Sequence, residues 1–152
     1  MDQKGFTLIE TLLAIVIMGI AVGLVSLSFP KLESSQVLDK SSSLVVSVLN
    51  EARSLTLSGK SDSQYGVYFQ DDQLALFRGS TYATSTSDNV FTTLNSLVGI
   101  RNISLSGGSS RVLFDRLTGA TSQAGSLEVY LRSDTASYKR VTISSTGVIE
   151  ED

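Results

Sequence analysis

Glu10 is the only ionisable side chain between Phe6 and Phe29. A carboxylate in hydrocarbon costs at least about 2.5 kcal/mol, so one persists there with a cationic partner or a task of its own. The chemistry open to Glu10 is therefore charge pairing inside an apolar environment. Elsewhere the chain is chemically sparse. It has no His and no Cys, which removes the commonest general base and metal ligand, any thiolate nucleophile and any disulfide. Ser and Lys are plentiful, yet no Gly-x-Ser-x-Gly or Gly-rich phosphate loop occurs. Asp71, Asp72, Asp88 and Asn89 place oxygen ligands on loops without the spacing of a calcium loop. No catalytic set, cofactor or metal is expected, and the chain does not read as an enzyme.

The elements that must position Glu10 start with the run it sits in. Residues 6–29 are otherwise apolar or small, and as a helix they would reach roughly 36 Å against a hydrocarbon core of about 30 Å. A membrane span is the first expectation. Lys4 precedes the run and no comparable basic cluster follows it, which favours a cytoplasmic N-terminus with the remaining domain on the far side. A secretory signal peptide would have a shorter apolar core and a small-residue cleavage site at its end. A plain signal-anchor helix remains an alternative, with Glu10 incidental. Gly19 and Gly23 stand four apart, the small-residue spacing that lets membrane helices approach, although glycine is common in such helices anyway. Pro30 is the one proline, and a kink or break is expected near Phe29.

From 31 to 58 the pattern is helical and amphipathic. Leu38, Val45 and Ala52 recur every seven residues, Val48 and Leu55 fall between them, Leu44 and Leu49 widen the stripe, and Ser41 is its polar break. Lys40, Ser43, Ser47, Asn50 and Ser54 form the opposite, water-facing side. Gly59 supplies a C-cap before a turn. Beyond it the pattern becomes short strands: 65–69 and 74–78 as a hairpin about 70–73, an exposed loop over 79–89, then 90–94, 100–105, 111–114, 127–131, 138–143 and 148–149. Seven or eight short strands are too many for one flat sheet on a helix. The expected fold is α+β, with a long N-terminal helix packed against two small antiparallel sheets.

Lys4-Gly5-Phe6-Thr7-Leu8-Ile9-Glu10, followed by an apolar helix, resembles the processing site of type IV prepilins and type II secretion pseudopilins. That resemblance implies a leader over 1–5, cleavage between Gly5 and Phe6, N-methylation of Phe6, and a role for Glu10 in assembly. It also implies an assembly helix over 6–29 and a soluble domain over 30–152, with its amphipathic helix at about 31–58 and its β-rich part at 64–152. The implied partners are a prepilin peptidase/methyltransferase, the membrane, and other pilin or pseudopilin subunits met through the N-terminal helix. The implied place is a single-pass position in the inner membrane, with a periplasmic or extracellular domain, and then a filament. Pilins usually carry their helix proline a few residues nearer the N-terminus than Pro30.

Further along, Arg111-Val112-Leu113-Phe114-Asp115, Gly119, and Val141-Thr142-Ile143-Ser144-Ser145-Thr146-Gly147, with Ala52-Arg53-Ser54 on the helix, resemble the GspH/FimT group of minor pilins and pseudopilins. Some of that group bind DNA through a basic C-terminal tail. This chain ends Glu150-Glu151-Asp152 and carries a net charge of −3, so nucleic acid is not an expected partner. The competing reading is a DNA-binding or ligand-binding minor pilin at a pilus tip. It would need Arg101, Arg111, Arg116, Arg132, Lys139 and Arg140 to gather in space, or aromatic side chains to cluster on an exposed sheet.

Overall fold

The computed structural model describes residues 6–26 and 29–152, without the side chains of 24–33. Met1–Ser35 and Gln36–Asp152 are two compact units. In the first, helix α1 (Leu8–Ser26) is apolar on every side, and its described side chains are all exposed. Among the described residues no helix is long and apolar enough to cross a membrane. The 19 residues of α1 would reach about 28 Å, just short of a hydrocarbon core of about 30 Å. Leu27 and Ser28, which the expected span includes and which immediately precede Phe29, near which a kink or break is expected, lie outside the described residues. Helix α2 is described from Phe29 to Leu57.

In the second unit α2 buries Leu38, Val45, Val48, Leu49 and Ala52, as its apolar spacing predicts. Two stripe positions differ. Leu44 is 37% exposed and Leu55 only half-buried, while Ser41, Ser42 and Thr56 are buried. Positions 38, 42, 45, 49, 52 and 56 keep a seven-residue repeat but use the 42/49/56 row in place of the 41/48/55 row, so the line of deepest contact is rotated away from Leu44 and Leu55. The hydroxyls on that line are satisfied. Ser42 donates to Glu151 at 2.6 Å, and Thr56 donates to the Ala52 carbonyl at 2.9 Å and accepts the Tyr65 N–H at 2.9 Å. The helix ends at Gly59, whose left-handed φ of 64° suits a residue without a Cβ.

The strands are β1 (Tyr65–Phe69), β2 (Gln73–Arg78), β3 (Val90–Thr93), β4 (Val98–Leu105), β5 (Arg111–Leu113), β6 (Gly125–Leu131), β7 (Tyr138–Ile143) and β8 (Ile149–Glu151). They form two four-stranded sheets, ordered β3-β2-β1-β5 and β4-β6-β7-β8, and every pairing is antiparallel. The α+β fold of a helix on two antiparallel sheets is the one the sequence implies. One core joins α2 to both sheets through Val67, Phe69, Leu74, Leu76, Val98, Val112, Phe114, Leu127, Val129, Val141 and Ile143. Most of the 79–89 loop is exposed, but Tyr82 folds back, stacking on Tyr68 at 4.3 Å and meeting Phe77 edge-on. That covers part of the outer face of β1 and β2 and accounts for the burial of Phe77 there. The last strand reaches further than its apolar residues suggest, because backbone pairing of Glu150 and Glu151 with β7 does not depend on side-chain polarity.

Candidate functional site

The N-terminal segment is built around Thr7. Its carbonyl accepts the N–H groups of Glu10 at 3.1 Å and Thr11 at 3.2 Å, and its Oγ1 accepts Glu10 N–H at 3.3 Å. Thr7 is thus the N-cap of α1, with Glu10 at the third helical position, the spacing Thr-x-x-Glu of a capping box. That spacing is a local helix-start signal in the sequence. The cap fixes Phe6 just ahead of the helix and puts the Glu10 carboxylate in its first turn, near the positive end of the helix dipole. Gly5, on the other side of the expected cut, lies outside the described residues. Gly19 and Gly23 are open, with nothing within 4 Å of where a Cβ would stand.

The cations that a polyanion-binding reading needs are dispersed and mostly paired. Arg132 binds Asp71 at 2.6 Å, Arg116 pairs with Asp62, and Lys139 lies 3.3 Å from Asp39 and 3.4 Å from Glu151. The carboxylate partners hold the charged forms of Arg132 and Lys139, and the pKa of each is raised. Arg111 sits on β5, in the other sheet from the strands that carry Arg101, Lys139 and Arg140. Asp88, one of the loop oxygen ligands, pairs with Arg78 at 3.2 Å, and the described residues hold no group of acids able to take a metal ion.

Only Arg101 and Arg140 meet, and they meet over a carboxylate. Both reach Glu128 at 3.2 Å, Asn102 donates to it at 2.7 Å, and the Arg101 guanidinium lies 4.7 Å from the Tyr130 ring centre. Tyr138 lies beside both arginines. An aromatic and basic cluster therefore does form on the outer face of the second sheet, but its buried centre is anionic. Burial pushes the Glu128 carboxyl up, and the hydrogen bonds from Asn102, Arg140 and Arg101 outweigh that, leaving it below the ordinary glutamate range.

Three sequence motifs from distant parts of the chain converge at one point. Arg53 on α2 donates to the Gly119 carbonyl at 3.2 Å. Gly147, at φ 78°, lies so close that a Cβ there would stand 1.8 Å from the same oxygen. Asp115 opens the turn, its carbonyl accepting Gly119 N–H at 2.8 Å, and the neighbouring Phe114 is fully buried. Arg53, Gly119 and Gly147 thus form a clasp between the helix and two turns. It has no reactive group and reads as structural.

Residues 1–26 match the model of the prokaryotic N-terminal methylation motif. No curated protein matches the sequence significantly. Among solved structures the chain is similar to the type IV minor pilin FimU of Pseudomonas aeruginosa (strain PAO1), at 13% identity and a TM-score of 0.58 over 76% of this chain and 92% of that one. At that identity the likeness concerns the fold. The motif implies processing by a prepilin peptidase and a membrane-anchored subunit that assembles into a filament. The chain thus carries a prokaryotic N-terminal methylation motif at the head of a type IV pilin-like fold.

Proposed function

We propose that the chain is a minor pilin or pseudopilin, a structural subunit of a type IV pilus or type II secretion filament, made as a membrane-inserted precursor. Cleavage falls between Gly5 and Phe6, Phe6 is N-methylated, and Glu10 pairs with the new terminal amine during assembly. The membrane helix covers residues 6–29, with the N-terminus cytoplasmic before assembly and the domain from residue 30 onward periplasmic or extracellular. The observation that carries this reading is the methylation motif over 1–26, set on an exposed apolar helix whose first turn holds one carboxylate. Support for placing the chain in the GspH/FimT group comes from the clasp, where Arg53, Gly119 and Gly147 meet.

Intact-protein mass spectrometry of the chain from a host carrying the peptidase should give a mature form starting at methylated Phe6. Retention of Met1 to Gly5 there would overturn the assignment. The second reading, a binding pilin at a tip, draws on the Arg101, Arg140, Tyr130 and Tyr138 cluster. Its central Glu128 opposes a polyanion. A salt-sensitive shift of DNA by the protein at physiological ionic strength would favour this reading over a purely structural one.

A further inference from the structure

The two sheets have four edge strands, and three of them are closed to further pairing. On β5 both outward N–H groups are taken by side chains, Leu113 by Gln123 Oε1 at 3.0 Å and Arg111 by Ser109 Oγ at 3.1 Å. On β4 the Ile100 N–H goes to the Asp71 carbonyl at 2.8 Å and the Val98 carbonyl accepts from Arg132 at 2.9 Å, and a register shift follows between Arg101 and Ser104. The edge strand β8 is short and carries Glu150 and Glu151. Charge, bulges and short length are the usual protections of a sheet edge.

Strand β3, at four residues, is also short, but it has neither charge nor bulge. It is Val90-Phe91-Thr92-Thr93, uncharged and rich in β-branched and aromatic residues, with Val90 58% and Phe91 47% exposed. Its register against β2, with Leu94 N–H on the Asp72 carbonyl at 2.9 Å, makes Val90 and Thr92 the residues that bond inward to β2. The backbone groups of Phe91 and Thr93 therefore point away from the sheet, with no partner among the described residues.

We propose that this edge pairs with the same edge of a second copy of the chain, antiparallel and centred on Thr92. The outward groups belong to residues two apart, so an antiparallel partner in this register sets Phe91 opposite Thr93 and Thr93 opposite Phe91. All of the outward N–H and C=O groups of both copies are then used. Thr92 faces Thr92, Val90 faces Leu94 and Asp88 faces Ser96, so no like charges meet, and the aromatic–Thr and Thr–Thr pairs are favourable ones. Being isologous, the contact closes on itself and does not propagate along a filament. It needs only the folded sheet, so it stands or falls independently of cleavage at Gly5.

The native chain has no cysteine, which makes the register directly readable. In a non-hydrogen-bonded antiparallel pair the Cα atoms lie about 4.5 Å apart, within the range of roughly 4.4 to 6.8 Å that a disulfide spans. Full-length Thr92→Cys, oxidised in membranes of the expressing host, should yield several-fold more disulfide dimer than Leu97→Cys on the neighbouring exposed loop. Phe91→Cys and Thr93→Cys should each cross-link poorly alone and well when co-expressed. Adding Phe91→Pro to Thr92→Cys removes an outward N–H that β2 does not use and should cut the dimer several-fold. Thr92→Cys yields no higher than those of Leu97→Cys, equal yields at 91, 92 and 93, or cross-links to a different protein in place of the dimer would overturn the proposal.

Discussion

Glu128 illustrates how a carboxylate is kept charged on a sheet face with little water around it. Two arginines from β4 and β7 and the Asn102 amide converge on it, and Asn102 reaches it from a left-handed φ of 49° within the register shift of β4. Asparagine tolerates that conformation better than most residues. Because the folded protein holds the proton less tightly than the unfolded chain, this carboxylate adds stability above the ordinary glutamate range. The contribution is lost as the pH falls through the lowered folded value. Glu128→Gln should therefore destabilise the protein at neutral pH by roughly 1.5 to 3 kcal/mol, the range for hydrogen bonds to a charged group. In urea unfolding curves the gap between wild type and variant should narrow as the pH drops below that range. A gap independent of pH would show that the charge of Glu128 is not what the cluster uses.

At the scale of elements, α2 joins the sheets through side chains that hydropathy alone passes over. Thr56 is buried against β1, where its hydroxyl takes the Tyr65 N–H, whereas the sequence pattern favoured the apolar Leu55 next to it. Thr56→Val keeps the shape and removes the acceptor, so a buried N–H is left unpaired at a cost of about 1 to 3 kcal/mol. The midpoint of chemical unfolding should fall with the slope unchanged. Most of the architecture was legible, because alternation and turn residues located the helix end at Gly59, the hairpin about residues 70–73 and the later strands. What was not legible depended on three-dimensional neighbours. Tyr82 covers the outer sheet face from a polar loop, Ser42 finds Glu151 from 109 positions away, and Arg53 finds two glycine turns. The motif residues around Gly119 and Gly147 were visible as patterns, and their meeting point was not. The Thr7 cap was within reach of the sequence, since Thr-x-x-Glu before an apolar run is a local signal.

For the whole molecule, the question is what a single carboxylate does at the head of an apolar helix in a protein proposed to move from membrane to filament. After cleavage the Phe6 amine would be a cation beside the positive end of the α1 dipole, an unfavourable place for it, and Glu10 lies about one turn along. Pairing within one chain offsets part of the cost of keeping the carboxylate in hydrocarbon. Pairing with a neighbour's amine, as proposed for assembly, would do the same and would also fix the axial step from one subunit to the next. Glu10→Leu removes the charge while keeping an apolar helix former, so insertion should be unchanged or improved. Cleavage after Gly5 should also be largely unaffected. Incorporation into filaments should fall sharply, because the subunit would lose the interaction proposed to set its stagger. Comparing membrane-bound with sheared-filament fractions of wild type and Glu10→Leu reads this directly. Equal incorporation would mean that Glu10 does not set the register, and that packing of the apolar helix surface alone determines how subunits stack.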